Sequence, residues 1–102
     1  MEILILKADE VKAAMPTGDG IAATKEAMAM YAAKKAVVPL RSNLSAAKGQ
    51  ALFMPGLVEE AEALGVKIVS TYPDNPARNL PAVAATMALL DTETGMVKCL
   101  MD

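Results

Sequence analysis

The sequence predicts an α+β domain, and three observations carry that reading. Apolar residues recur at helical spacing only in the first third of the chain. Short continuous or alternating apolar runs of strand length fill the remainder. No repeat, linker or low-complexity stretch separates the two parts, so helices gather early and strands late within one unit. Its 102 residues suit a single domain spanning 1–102, since chains divide into separate cores only well above this size.

Ile3 to Leu6 is a run of Ile and Leu, predicted as a strand. Ala8 to Met15 follows as a helix, with Asp9 and Glu10 in the first turn, where the helix dipole favours acids, and Pro16 as its stop. A longer helix is predicted from Asp19 to Lys35. Ile21, Thr24, Met28 and Tyr31 share its apolar face, and Lys34 and Lys35 close it as cations.

After Ala36 the period changes. Val37 to Leu44 is predicted as a strand, with Val37, Pro39, Arg41 and Asn43 on one face and Val38, Leu40, Ser42 and Leu44 on the other. Lys48-Gly49 supplies a turn, so Gln50 to Met54 returns as its hairpin partner and ends at Pro55-Gly56. Val58 to Leu64 suits one short helix or an irregular connection. Gly65 to Tyr72 is the clearest strand, with Val66, Ile68 and Ser70 on one side and Lys67, Val69 and Thr71 on the other. The prolines and amides between Pro73 and Pro81 argue against regular structure there. Ala82 to Leu90 and Met96 to Met101 make a second hairpin, with Gly95 in the left-handed position.

Composition limits the chemistry. Hydrophobic residues make up 54% of the chain and charged residues 22%, which suits a packed domain. The core is unusual, however: twenty alanines and eight methionines stand against three aromatic residues, so close backbone packing or a partner surface must supply the missing bulk. A net charge of -2 argues against a nucleic-acid partner. The absence of His removes the commonest general base and metal ligand, and the single Cys99 forms no internal disulfide and no zinc site. A cytoplasmic setting is expected, because Met1 to Lys7 offers only four consecutive apolar residues before a charge. No membrane partner is expected either: the longest uncharged run, Asn79 to Leu90, is twelve residues and contains Pro81.

Few residues point to a site. Gly18-Asp19-Gly20-Ile21-Ala22-Ala23 fits the dinucleotide fingerprint G-x-G-x-x-A, but Met15-Pro16-Thr17 precedes it instead of a strand, and no carboxylate follows at ribose distance. It is read as a helix start. Arg41, one of two arginines, is predicted mid-strand, where its planar fork either grips a carboxylate or phosphate or lies on a solvated face. Lys67 is set among Val66, Ile68 and Val69 in the strand expected to be central, where an ammonium needs a partner; the alternative is a gatekeeper lysine on an edge strand. If their strands neighbour each other with these faces turned the same way, the two cations form a site for an acid. Glu59, Glu60 and Glu62 are read as a solvated turn, Met28, Met30 and Met54 as core filler, and Cys99 as a small buried hydrophobe.

Taken in order, Val37-Val38-Pro39-Leu40-Arg41-Ser42, Leu52-Phe53-Met54-Pro55, Leu64-Gly65-Val66-Lys67-Ile68-Val69-Ser70, Asn75-Pro76-Ala77-Arg78-Asn79-Leu80-Pro81 and Leu90-Asp91 through Thr94-Gly95 resemble the N-terminal part of the ornithine cyclodeaminase and mu-crystallin family. The opening strand and two helices look like that family too. The resemblance implies two N-terminal helices packed on a mostly antiparallel sheet, forming a substrate-binding and dimerisation domain. It implies NAD- or NADP-dependent chemistry on amino acids or cyclic imines, with the cofactor held by a following Rossmann domain and not by this chain. It matches Arg41 and Lys67 to residues that hold the substrate α-carboxylate. The chain stops at Asp102, before the family's further carboxylate-binding arginine and its catalytic aspartate. A truncated, inactive domain is therefore expected, with no catalytic or cofactor-binding residue of its own. Leu52 stands where ornithine-using members are expected to carry a carboxylate, which favours a small neutral amino acid or its keto or imino acid. The alternative is a stand-alone oligomerising module that kept the fold without the chemistry.

Overall fold

In the computed structural model, residues 2–102 are described. They form two helices and a mostly antiparallel seven-stranded sheet, the α+β class expected. β1 (Leu4–Leu6) leads into α1 (Ala8–Ala14), whose start is closed by the Lys7 amide donating to the Glu10 carboxylate at 3.0 Å. α2 (Thr17–Ala32) follows Pro16 and ends earlier than its sequence suggested: Lys34 takes a left-handed φ of 62°, so Lys34 and Lys35 lie beyond the last turn.

The sheet then builds as a meander. β2 (Ala36–Val37) and β3 (Ser42–Ala46) both pair with β4 (Gly49–Val58), followed by β5 (Ala63–Thr71), β6 (Val83–Leu90) and β7 (Val97–Met101). Lateral order is β1-β7-β6-β5-β4-β2, with β3 beside β2 on the same flank of β4. β1 closes the far edge by pairing parallel to β7.

Two expectations fail here, both at prolines. The single strand predicted from Val37 to Leu44 is split into β2 and β3 by the non-strand stretch 38–41, because Pro39 fixes φ and cannot donate to a ladder. Pro55-Gly56 does not end its strand: β4 runs through both residues to Val58. Pro55 is tolerated because β3 pairing stops at Phe53 and β2 pairing starts at Leu57, leaving that flank of β4 a local edge. The β4–β5 connection is one 3-10 turn, Glu59–Ala61, and the loop before β6 also holds a 3-10 turn, Asn75–Arg78, where none was expected. The β6–β7 turn is as predicted, with Gly95 at a φ of 72°.

The core is thin. Among the described residues only Ala88 and Cys99 are buried. α2 packs chiefly on β2, and its apolar stripe of Ile21, Met28 and Tyr31 is exposed, so Met28 is not the core filler expected. The surface of 7705 Å2 compares with about 5,500 Å2 for a compact monomer of this mass. The radius of gyration is 15.3 Å, against about 13 Å for a compact chain of this length. Both quantities describe a sheet that the chain does not cover by itself.

Candidate functional site

Lys67 lies in β5, which has β4 on one side and β6 on the other, so the edge-strand reading does not hold. Its rung is fixed by register: Met54 in β4 is its partner on one side and Met87 in β6 on the other, with Met101 of β7 beyond Met87. Directly paired residues project from the same face of a sheet. Lys67 is therefore a half-buried residue set between two methionines, and among the described residues no carboxylate pairs with it.

Arg41 is not mid-strand as expected; it is the exposed residue immediately before β3. The β3–β4 pairing stops at Ser42–Phe53, so Arg41 is the first residue beyond that ladder, at the stretch of β4 that carries Met54. On the Phe53 rung, Ser42 in β3 and Ile68 in β5 lie two interstrand spacings apart, roughly 10 Å between backbones, and Arg41 and Lys67 are their chain neighbours. Arg41 closes the non-strand stretch 38–41 that holds Pro39, and it is exposed.

The neighbouring rungs are apolar. Leu52 pairs with Val69 on one side of the Met54–Lys67 pair, and Gly56 pairs with Gly65 on the other. Beside the two glycines opens a groove of about 240 Å3, lined by Val38, Met54, Val58, Met87 and Leu89 among others. Sequence reasoning missed this groove because Pro55-Gly56 was taken as a strand end. The signal that could have revealed it was a glycine two residues from each member of the Met54–Lys67 pair, Gly56 after Met54 and Gly65 before Lys67.

Other candidates fall elsewhere. Gly18 and Gly20 lie inside the first turns of α2, which follows another helix, so the glycine pattern does not form the strand–turn–helix unit that a dinucleotide needs. These residues do not fit NAD. Glu59, Glu60 and Glu62 are exposed at the β4–β5 turn, where Glu60 meets Lys35 at 3.2 Å. Cys99 is buried and free, as a small hydrophobe. Among the described residues no cluster of three His, Cys, Asp or Glu gathers, and no helix is long and apolar enough to cross a membrane. Asp91 has its carboxyl held below the usual range by amide hydrogen bonds from Glu93 at 2.8 Å and Thr94 at 3.1 Å, with Lys98 adding attraction; this organises the β6–β7 turn.

A family model described as the ornithine cyclodeaminase/mu-crystallin family matches residues 1–102. The chain belongs to this family. Among ornithine cyclodeaminase/mu-crystallin proteins, the alanine dehydrogenase of Archaeoglobus fulgidus is 38% identical over 103 residues, covering 100% of this chain and 31% of that protein. The structure of an archaeal alanine dehydrogenase dimer with bound NAD superposes with a TM-score of 0.93 at 36% identity, covering 100% of this chain and 31% of that one. The Thermococcus litoralis Delta(1)-pyrroline-2-carboxylate reductase, solved with NADH and L-proline, gives a TM-score of 0.92 at 35% identity, over 97% of this chain and 31% of that one. The chain thus spans 31% of the length of these relatives.

Proposed function

We propose that this chain is the substrate-binding and dimerisation domain of an NAD(P)-dependent ornithine cyclodeaminase/mu-crystallin-like enzyme, acting on a small amino acid or its keto or imino acid, and inactive without a cofactor-binding part. The observation that carries this reading is the Met54–Lys67 pair beside an apolar groove, with Arg41 one residue beyond the Ser42–Phe53 pair. A guanidinium offers a carboxylate two parallel hydrogen bonds, and an ammonium across from it adds a second charge, so the acid end is held with a fixed orientation. Leu52 and Val69 next to the pair favour an aliphatic substrate over one with a second amine. Relatives named for alanine and for pyrroline-2-carboxylate agree with that class.

Dimerisation is supported by the excess surface. The roughly 2,200 Å2 beyond a compact monomer lies in the range that permanent interfaces bury, and Leu4, Ile5, Met28 and Tyr31 contribute to it as exposed apolar side chains. A cytoplasmic location fits a chain whose one cysteine is free.

Titration of the chain with alanine and with pyruvate, followed by amide chemical shifts, tests the grip. Binding is expected in the native protein and loss of it in Arg41→Ala; equal responses from the two proteins sink the reading. Calorimetry with NADH is expected to show no micromolar binding. Sedimentation velocity is expected to give a dimer, and a monomer persisting at high concentration counts against the interface.

A further inference from the structure

Another cavity, of about 260 Å3, is lined among the described residues by Lys48, Tyr72, Asp74, Asn75 and Arg78. Every one of these side chains is polar, in contrast to the groove beside the two glycines. The surrounding backbone is closely built. A Cβ on Gly49 would meet Tyr72 Cγ at 2.7 Å and the Thr71 carbonyl oxygen, so glycine at this turn is what lets the Tyr72 ring seat against the β3–β4 hairpin. The loop that carries Asp74 and Arg78 is held by its own hydrogen bonds. The Asn75 side-chain amide donates to the Pro81 carbonyl at 3.0 Å, the Asn75 backbone amide to the Tyr72 carbonyl at 3.1 Å, and the Leu80 amide to the Asn75 carbonyl at 3.1 Å.

The charges lining this cavity are left without partners. Asp74 stands at the capping position of the 3-10 turn Asn75–Arg78, where an aspartate commonly accepts from the turn's amides, yet its side chain makes no capping hydrogen bond. Among the described residues neither Lys48, Asp74 nor Arg78 joins an ion pair. We infer that this cavity binds a small zwitterion, an α-amino acid by chemical class, with its carboxylate at Arg78 and Lys48 and its ammonium at Asp74. A guanidinium offers a carboxylate two parallel hydrogen bonds, and a carboxylate accepts from an ammonium. A simple anion would meet the two cations but be opposed by Asp74, and a simple cation would meet the reverse. The volume falls just below the roughly 300 Å3 at which pockets for drug-sized molecules begin, which suits a ligand of few atoms. Five residues of chain separate Lys67 from Tyr72, roughly 17 Å when extended, so the inference does not rest on the proposed grip at Arg41 and Lys67.

The experiment follows amide chemical shifts of the native chain through titration with alanine, propionate, ethylamine and inorganic phosphate, and repeats the alanine titration on Arg78→Ala, Asp74→Asn and Lys67→Met. Alanine is expected to move the Gly49, Tyr72, Asn75 and Arg78 amides along one saturation curve. Propionate and ethylamine are expected to bind there about fivefold more weakly, because each forfeits a charged contact at a partly exposed site. Arg78→Ala and Asp74→Asn should each weaken alanine at these amides by about the same factor, with circular dichroism unchanged, while Lys67→Met leaves the curve as it is. Propionate or phosphate binding as well as alanine makes this an anion patch and overturns the zwitterion. No saturable shift at these amides, a curve indifferent to both Asp74→Asn and Arg78→Ala, or one abolished by Lys67→Met overturns the site.

Discussion

Replacing Lys67 by Met should make the protein more stable and less able to bind an acid. Lys67 stands between Met54 and Met87, half-buried as a residue, with no carboxylate paired to it among the described residues. An unpaired ammonium adds no ion pair to the folded state, whereas a thioether of similar length continues an existing methionine rung and adds apolar contact. The expected gain is about 1 kcal/mol, the usual scale of a single stabilising substitution. For a domain of this size that raises the thermal midpoint by about 4–8 °C. A charged hydrogen bond to a carboxylate is worth about 1.5–3 kcal/mol, so alanine and pyruvate affinity should fall at least tenfold. Calorimetric melting and ligand titration on the same preparation read both effects. A lower midpoint, or undiminished binding, refutes the reasoning: the first means that Lys67 stabilises the fold, the second that it does not touch the acid.

Two further outcomes follow from the turns and the close contacts. Gly65→Ala should cost about 1–3 kcal/mol through its clash with the Ala88 carbonyl, and urea denaturation should show this while Gly56→Ala melts no lower than the native chain. Asp91, with its folded carboxyl pKa depressed below 3.8, contributes stability that is present above that value and lost as the pH falls through its lower folded value. The thermal midpoints of the native chain and Asp91→Asn should therefore converge as the pH falls below about 4, the ordinary Asp value; a constant difference would contradict that assignment.

Much of this was legible in the sequence wherever one physical signal dominated locally. The alternation of Val66 to Thr71 gave the correct faces of β5, and Asp91 through Gly95 announced its turn by residue type. Lys67 was visible as a charge in apolar company within a strand, whereas Arg41, read the same way, lies just before β3. What local pattern could not supply was register. Which residues flank Lys67 depends on the β4–β5 and β5–β6 registers, and the length of β4 depends on its continuing past Pro55, where a proline gives the same local signal whether its flank is paired or open. The stripe on α2 misled for a related reason: periodicity shows that a face is apolar, but not that this chain covers it.

The parallel pairing of β1 with β7 ties Leu6 to Met101, and the Asp102 amide donates to the Leu6 carbonyl at 3.1 Å. During synthesis the first strand must therefore wait for nearly the whole domain to emerge before its hydrogen-bonding groups find their neighbour, and closing a loop of that length costs roughly 4 kcal/mol of chain entropy. Three residues of ladder offset little of that, so β1 is the last strand to dock and the first to fray. Its Leu4 and Ile5 side chains, exposed in the finished sheet, leave a sticky margin whose protection falls to whatever molecule packs along that border.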